Sequence, residues 1–329
     1  MELKEIKREI DSVRNIWKLT GALETLSALK MKRAQKIALL SRPFSEKVAQ
    51  ILEEIDSCNM EGKSVFFEKR KGLPAGRQGN KVLALVLASD RGFCGAFNQN
   101  ILRFVEKTIK EIKTPTSRGV GAPKSTPESA LRSDVGAASV GEDKDVEILP
   151  VGKKAISYFK KKGYESAQNF FGIGDFGKLE DVKMISDFLV GGFLKNKYQE
   201  IYLFYTNFIS TFLQKPKSIK LLPLDRSYLR EFCRTDTKKA PEKEKDFLME
   251  PSGEQLFKEI VPQLVEYLIY QAILEGNASE HSARMMAMRN ASENAEEKVL
   301  ELNLSYNRAR QEQITAEVCE VSSAKEVLD

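Results

Sequence analysis

The sequence is poor in the residues on which most enzyme mechanisms depend. It has one histidine, His281, and four cysteines, which are Cys58, Cys94, Cys233 and Cys319. No two of these cysteines form a C-x-x-C pair, so neither a disulfide framework nor a zinc site is indicated. A single histidine leaves little scope for a histidine base or a two-histidine metal site. We therefore expect reduced thiols, no metal, no cofactor and no catalytic group.

Long apolar runs are missing as well. No stretch approaches the roughly 18 consecutive apolar residues that a membrane-spanning helix requires. Residues 1–15 mix acidic and basic side chains, whereas a signal peptide is apolar and a transit peptide avoids acids. The 52 basic and 47 acidic residues leave a net charge of +5, which is too balanced to indicate nucleic-acid binding. The composition predicts a solvated surface in a reducing, cytosolic compartment.

Proline and glycine are nearly absent from the end of the chain. Residues 263–329 contain no proline and one glycine, Gly276. Apolar and small residues recur there at spacings of three and four, as on one face of a helix. Such a helix is about 100 Å long, more than a globular core can bury, so the pattern predicts a rod. The main stripe is Met285, Met288, Ser292, Ala295, Val299, Leu302, Tyr306, Ala309, Gln313 and Ala316, and a second stripe is Leu300, Leu304, Ile314, Val318 and Val321.

Residues 1–57 predict a second long helix, in which Pro43 is expected to cause a kink or a local break. Two amphipathic rods in one chain satisfy each other most simply as an antiparallel coiled coil. The C-terminal helix is the longer and should project past its partner by about 15–30 Å. The stripe of the first helix runs through Leu3, Ile6, Ile10, Val13 and Trp17, and we expect it then to shift to Leu19, Leu23 and Leu26.

The middle of the chain alternates strands and helices. The unbroken apolar strand 81–88 is typical of a parallel sheet that is covered on both faces. The fold class is therefore α/β, with a long antiparallel coiled coil of N- and C-terminal helices and an inserted Rossmann-like α/β domain. Further strands are expected at 146–151, 200–209 and 218–224, and helices at 97–113, 153–162 and 179–197.

These patterns divide the chain into an N-terminal coiled-coil helix at 1–57, an α/β domain at 81–225, a linker at 226–250 and a C-terminal coiled-coil helix at 251–329. Residues 114–145 are rich in glycine, serine, proline and alanine and contain no aromatic residue. That composition predicts a flexible insert within the α/β domain. Residues 73–80 form a second, shorter insertion whose composition predicts a polar turn.

A glycine-bearing turn, residues 89–98 with the sequence SDRGFCGAFN, follows the first strand and precedes a helix. Phosphate groups bind at such places. However, Gly92 and Gly95 are in a G-x-x-G spacing, which fits neither the Rossmann nor the P-loop motif. We interpret the segment as a structural βα turn in which Asp90 and Asn98 are turn or cap groups. Nucleotide binding remains the alternative.

Taken together, several motifs resemble those of the gamma subunit of the rotary F-type ATP synthases of bacteria. The resemblance covers nearly the whole chain, apart from the two insertions and residues 225–246. The motifs are IKREIDSVRN at 6–15, KMKRAQ at 30–35, SDRGFCGAFN at 89–98, ASEHSARMMAMRNA at 278–291 and YNRARQ at 306–311.

The resemblance implies a non-catalytic central rotor shaft in a proton-translocating ATP synthase. Such a shaft couples rotation of the membrane ring of c subunits to ATP synthesis in the ring of alpha and beta subunits. The implied partners are the alpha, beta and epsilon subunits and the c-subunit ring, with no nucleic acid and no direct small-molecule substrate. The implied location is peripheral, on the cytoplasmic face of the bacterial cell membrane.

By motif position, the resemblance also implies contact residues on the two rods. Arg310, Gln311, Thr315 and Glu317 correspond to polar contacts with a loop of the alpha/beta ring. Lys18, Leu23, Lys30 and Arg33 correspond to the surface that faces the lever segments of the ring. The chain departs from the family pattern at Trp17, Leu23, Ala96, Asn277 and Ala316. Two other functions remain open: a nucleotide-binding enzyme with a helical oligomerisation stalk, and a coiled-coil adaptor that does not rotate.

Overall fold

The computed structural model describes residues 3–57, 66, 81–113, 145–175, 179–224 and 253–328. The polar turn at 73–80, the linker at 226–250 and the insert, except for its last residue, lie outside these residues. The described elements are α1 (Leu3–Ser57), β1 (Lys81–Leu87), α2 (Phe97–Lys113), β2 (Asp145–Val151), α3 (Lys153–Lys161), α4 (Leu179–Leu194), β3 (Glu200–Phe208), β4 (Gln214–Leu222) and α5 (Gly253–Leu328).

The two terminal helices pack side by side in opposite directions. Ile6 and Ile10 of α1 form a buried cluster with Leu302 of α5, whereas Gly21 lies opposite Ser292. Later residues of α1 thus contact earlier residues of α5, which is the antiparallel order that the sequence predicts. The helices have 55 and 76 residues, or about 80 and 115 Å.

The main stripe of α5 is confirmed as far as the end of its partner. Met288, Ala295 and Leu302 are buried, and Tyr306 and Ala309 are partly buried against the first turns of α1. Gln313 and Ala316 are exposed, since α5 there has passed Leu3, where α1 begins. The last described turns of α5 therefore project beyond the helix pair by roughly 25 Å, as predicted.

The predicted shift of the α1 stripe to leucines is wrong. Leu19 and Leu26 are 61% and 51% exposed, whereas Thr20 and Ser27 are buried. The buried hydroxyls are satisfied within their own helix, because each donates to a carbonyl oxygen one turn earlier. Small side chains in the seam let the helices approach closely: a Cβ on Gly21 would lie 3.8 Å from Oγ of Ser292. The seam is thus small and polar, and the leucines point outward.

Two prolines lie inside the long helices. Helix α1 continues from Leu3 to Ser57 through position 43, so the local break predicted there is wrong. Helix α5 likewise contains Pro262. A proline removes one backbone donor, but the helical turns on either side keep their own hydrogen bonds, so a long helix can run through it.

The inserted domain is a four-stranded mixed sheet in the order β2-β1-β3-β4. Strand β1 pairs in parallel with β2 and β3, while β4 pairs antiparallel with β3. Every predicted strand and helix is present, with ends that differ by a few residues. The largest difference is β4, which begins at Gln214 rather than 218. Its first residues are polar and include Pro216, a pattern typical of an edge strand and easily taken for a loop.

Both faces of the sheet are covered, which explains why β1 is apolar without alternation. One face packs against α4 and the first part of α5, through residues such as Ile185, Phe193 and Leu264. The other packs against α2 and α3, through Ile101 and Phe159. Six of the seven residues of β1 are buried, as expected for a central strand.

The chain forms two compact units. The first contains residues 1–33, 92–95 and 280–329, and the second contains residues 34–91 and 96–279. The first unit is thus the coiled coil together with four residues of the central turn. The second is the α/β domain with the adjoining parts of both long helices.

Candidate functional site

The central turn begins with an aspartate whose partners lie far away in sequence. Oδ1 of Asp90 accepts a hydrogen bond from the backbone N–H of Lys153 at 2.9 Å, and Oδ2 accepts one from Gly172 at 3.0 Å. Lys153 is the first residue of α3, and its N-cap, Gly152, has no side chain to offer. Asp90 therefore supplies the acceptor and the negative charge that a helix N-terminus favours.

Ser89 and Asn98 hold the two ends of the turn together. The backbone N–H of Ser89 donates to Oδ1 of Asn98 at 3.1 Å, and Nδ2 of Asn98 donates to Oγ of Ser89 at 2.7 Å. Oγ of Ser89 in turn lies 2.7 Å from the carbonyl oxygen of Arg91, to which it can donate. These bonds join the end of β1 to the start of α2.

Gly152 permits the backbone of α3 to approach the end of β1. Its φ is +98°, and a Cβ at this position would lie 2.1 Å from the carbonyl oxygen of Ala88. No side chain fits in that space. The backbone amide of Ala88 donates to the carbonyl oxygen of Val151, which keeps the two segments adjacent.

This geometry argues against nucleotide binding at the turn. A phosphate group would need free N–H groups and a positive dipole at a helix N-terminus. At α3 the carboxylate of Asp90 already occupies that position, and its charge would repel phosphate.

The remaining residues of the turn, Gly92–Gly95, belong to the coiled-coil unit, where Arg284 of α5 binds them. Nε and Nη2 of Arg284 donate to the carbonyl oxygen of Gly92 at 3.3 and 3.2 Å. Nη2 also donates to Oε1 of Glu280, and Nη1 lies 3.1 Å from Nδ1 of His281. Arg284 is 9% exposed and His281 is 2% exposed. The sequence interpretation missed Arg284, for which the only signal was its place in a motif.

The contact residues implied by the resemblance lie on the rod surface. On α1, Lys18 and Arg33 are exposed, while Leu23 and Lys30 are partly buried. Those on α5 are all exposed and lie on the part that projects past Leu3: Arg310, Gln311, Thr315 and Glu317. The structure thus places the two groups apart along the coiled coil. Among the residues that the structure describes, neither group forms an enclosed pocket.

Large apolar side chains are also exposed along the rods. Leu300 and Leu304, which belong to the second predicted stripe of α5, are 63% and 65% exposed. That stripe faces away from α1. Such an amount of exposed apolar surface on one rod is typical of a binding surface. The exposed residues of the coiled-coil unit are Ile16, Trp17, Leu19, Leu26 and Leu29 on α1, and Leu300, Leu304, Ile314 and Val318 on α5.

The departure at Asn277 has a structural explanation. Its side chain is partly buried, and Nδ2 donates to the carbonyl oxygen of Asp175 at 2.9 Å. An amide at this position therefore satisfies a backbone carbonyl, which a leucine would leave without that donor. Exposure to solvent is not required to explain a polar residue here.

Among the described residues, no cluster of three or more His, Cys, Asp or Glu side chains has the arrangement of a metal site. Within the same ranges, no helix is both long enough and apolar enough to cross a membrane.

The fold and the site define a class of protein. Two long antiparallel helices carry outward-facing apolar and charged residues, and the inserted α/β domain has a structural turn where enzymes of similar topology bind ligands. This is a shaft-bearing protein that acts through surfaces rather than through a catalytic centre.

Comparison with known proteins identifies the family. The family model described as ATP synthase matches residues 2–328. The ATP synthase gamma chain of Chloroflexus aurantiacus is 34% identical over 326 residues, covering 99% of this chain and 98% of the relative. That of Pelotomaculum thermopropionicum is 30% identical over 327 residues, covering 99% of both chains. The chain belongs to the ATP synthase gamma chain family, the non-catalytic central rotor of F-type ATP synthases.

Solved structures share the fold at low identity. A chain from the mitochondrial ATP synthase of Euglena gracilis aligns with a TM-score of 0.61 and 15% identity, covering 99% of this chain and 94% of that chain. A chain from the central stalk and c-ring of the Tetrahymena thermophila enzyme aligns with a TM-score of 0.54 and 21% identity, covering 83% of this chain and 99% of that chain. These alignments support the architecture of two long helices and an inserted α/β domain.

Proposed function

We propose that this chain is the shaft of a proton-driven ATP synthase and turns inside a ring of alpha and beta subunits. In this proposal its α/β domain rests on the c-subunit ring beside an epsilon subunit. The enzyme is then peripheral on the cytoplasmic face of the bacterial cell membrane. The observation that carries the proposal is the helix pair, which exposes apolar side chains along its length and projects α5 beyond α1.

The projecting part of α5 is proposed to contact the ring in two ways. Ile314 and Val318 are 47% and 58% exposed, and no described residue of α1 reaches this far to cover them. An apolar lining of the ring would bury them. Arg310 and Gln311 lie beside them on exposed positions, where they can form hydrogen bonds to a polar loop of the ring.

The surface of α1 is proposed to meet the lever segments of the ring. Leu26 and Leu29 are exposed, and Lys30, Lys32 and Arg33 follow directly in sequence. An apolar patch with adjacent positive charge fits a partner surface that has both apolar and acidic side chains. Lys18 and Leu23 lie one to two turns earlier on the same helix.

The central turn is proposed to be structural. Asp90 and Asn98 use their side-chain oxygens on backbone amides, and Gly95 has a φ of +54°, which favours glycine. Gly92 provides the carbonyl oxygen that Arg284 binds. These contacts account for the polar groups of the turn through its shape alone.

Cross-linking distinguishes a rotor from a static adaptor. Cysteine in place of Gln311 is paired with a cysteine on the facing ring loop, in an assembled enzyme from which native cysteines have been removed. We expect the oxidised enzyme to stop ATP synthesis and the reduced enzyme to recover it, since the disulfide locks shaft to ring.

The matched control carries cysteine in place of Phe212, an exposed residue of the α/β domain, without a ring partner. It should be insensitive to oxidation. Full ATP synthesis by the cross-linked Gln311→Cys enzyme would show that the chain does not rotate. Failure of the chain to co-purify with an alpha/beta ring would overturn the proposal altogether.

A further inference from the structure

The central turn is the third place at which the chain connects the α/β domain to the coiled coil. Residues 92–95 pack within the coiled-coil unit, while the residues immediately before and after them belong to the α/β unit. The other two connections are α1, at residues 33–34, and α5, at residues 279–280. Both of these are continuous helices, whereas the turn has no helix to hold it in place.

Arg284 provides the hold that the turn lacks. Its guanidinium group binds the carbonyl oxygen of Gly92 through two N–H groups, although the two residues are 192 positions apart in sequence. Glu280 and His281, each on α5, occupy the other side of the guanidinium and fix its orientation. Both Arg284 and Glu280 have side chains that are nearly nine-tenths buried, so water competes weakly for these bonds.

We infer that Arg284 is a positioning residue for torque transmission, and that it makes the Gly92–Gly95 turn a third load-bearing attachment between shaft and α/β domain. A body held at two points is free to turn about the line that joins them, and a third point removes that freedom. The inference rests on the shaft function proposed above. It adds to that function a residue that contacts neither the ring nor the membrane.

Arginine is suited to this position because its planar fork can direct several donors at fixed angles. Lysine has one ammonium group on a flexible stem and cannot bind Gly92, Glu280 and His281 together in the same geometry. Arg284→Lys therefore keeps the charge beside Glu280 but weakens the hold on the turn. Arg284→Gln removes both.

Cys94 is a native probe of whether the turn is held. It lies within the turn and is 2% exposed, so it reacts with a maleimide only when the turn opens. In a chain whose other cysteines are serine, we expect Arg284→Gln to raise the labelling rate of Cys94 about tenfold or more, as loss of a charged hydrogen bond shifts the opening equilibrium. Arg284→Lys should give an intermediate rate.

The matched control is Arg289→Gln. Arg289 lies on the same helix, but its side chain is 57% exposed and pairs with Glu293. Its substitution should leave the labelling of Cys94 unchanged. Labelling of Cys94 at the wild-type rate in Arg284→Gln would show that Arg284 does not hold the turn.

A disulfide can replace the arginine and test its mechanical role. A Cβ on Gly95 would lie 3.9 Å from Cβ of Ala287, within the about 3.5–4.5 Å that a disulfide spans. The assembled enzyme then carries Arg284→Gln, Gly95→Cys and Ala287→Cys, with native cysteines replaced. We expect fewer protons pumped per ATP hydrolysed, and lower torsional stiffness of the single-molecule shaft, in the reduced form than in the oxidised form.

The outcomes separate the inference from the proposed function. If the Arg289→Gln enzyme couples normally and the oxidised disulfide enzyme is no stiffer than the reduced one, the turn bears no load and the inference fails. If wild-type and control enzymes do not couple either, the shaft function itself fails. Should Arg284→Gln not assemble, the same comparison is made with Arg284→Lys, whose wild-type stiffness and coupling would overturn the inference.

Discussion

At the scale of single residues, the α/β domain repeats one polar arrangement. A tyrosine hydroxyl donates to a glutamate, and a lysine pairs with the same glutamate while lying over the tyrosine ring. Each group thereby has a partner at the margin of the core, where an unpaired charge would be costly. The three sets are Tyr158 with Glu106 and Lys162, Tyr198 with Glu147 and Lys197, and Tyr202 with Glu200 and Lys220.

These tyrosines predict a loss of stability at alkaline pH. Burial, together with the hydrogen bond to Glu106, raises the pKa of Tyr158 from 10.0 to about 12. Burial likewise raises the pKa of Tyr198 and of Tyr202. Because the unfolded chain deprotonates first, the contribution of Tyr158 to stability is complete below pH 10 and is lost between pH 10 and about 12.

Urea unfolding at a series of pH values checks this expectation. The free energy of unfolding should fall above pH 10 in the wild type, and less steeply in Tyr158→Phe, which has no hydroxyl to titrate. Glu106 should be considered in the same experiment: burial acts to raise its pKa, but hydrogen bonds from Tyr158 and Lys162 lower it overall. Equal alkaline slopes in the two proteins would contradict the assignment to Tyr158.

Gly152 predicts a large effect from a single methyl group. Gly152→Ala would place Cβ 2.1 Å from the carbonyl oxygen of Ala88 at a φ of +98°. We expect a loss of about 3 kcal/mol or more in the free energy of unfolding, since backbone strain and a steric clash act together. Thermal and urea unfolding of the purified chain measure the loss.

Gly163→Ala is the control for this substitution. Gly163 has a φ of +75°, but no atom of the described residues lies within 4 Å of the position that its methyl group would take. Only the conformational cost of about 1–2 kcal/mol therefore applies. Equal losses for the two variants would show that the contact with Ala88 is not the cause.

At the scale of elements, the coiled coil inverts the usual pattern of leucine inside and polar outside. The seam of α1 buries Thr20 and Ser27 and exposes Leu19 and Leu26. Leucine and isoleucine in the seam would give a more stable coiled coil. The chain instead places its leucines where a surrounding partner can cover them, so stability of the isolated pair is exchanged for contact surface.

Two leucines of α5 separate these roles. Leu302 is 8% exposed in the cluster with Ile6 and Ile10, whereas Leu300 is 63% exposed. We expect Leu302→Ala to lower the free energy of unfolding by about 2–3 kcal/mol, near the lower end for buried leucines. Leu300→Ala should change it by less than about 0.5 kcal/mol. Helical circular dichroism during thermal unfolding measures both, and equal effects would contradict the seam.

At the scale of the whole molecule, the length difference between α1 and α5 determines which surface is presented. The projecting turns of α5 have no partner from the described part of α1, so their apolar residues await a surface from outside the described chain. In a rotary enzyme, such a surface must hold the shaft without fixing it at one angle. Apolar contact is non-directional and suits that requirement.

Charges placed on this tip should weaken assembly. For Ile314→Asp with Val318→Asp we expect binding to a reconstituted alpha/beta ring to weaken at least about tenfold, since two apolar side chains would no longer be buried. Co-purification and titration of the ring measure the change. Met184→Asp with Leu194→Asp, on exposed positions of α4, is the control and should bind normally. Wild-type affinity of the tip variant would contradict contact at Ile314 and Val318.

The sequence alone determined the elements and much of their surface. A helix or strand reveals itself through local periodicity, and this is why the α5 stripe through Met288, Ala295 and Leu302 and the buried strand β1 could be predicted. The scarcity of histidine and of clustered cysteine, readable without a fold, favoured a protein without catalytic chemistry. The motifs pointed to the family before any contact was known.

Only the tertiary structure decided which groups meet. Asp90 reaches the N-terminus of α3, Arg284 reaches Gly92 across 192 positions, and Thr20 rather than Leu19 enters the seam. Each outcome depends on distance in space and on how closely two backbones approach, which periodicity does not encode. The seam shows this most clearly, because hydrophobicity favoured the leucines and close packing of two helices selected the small residues.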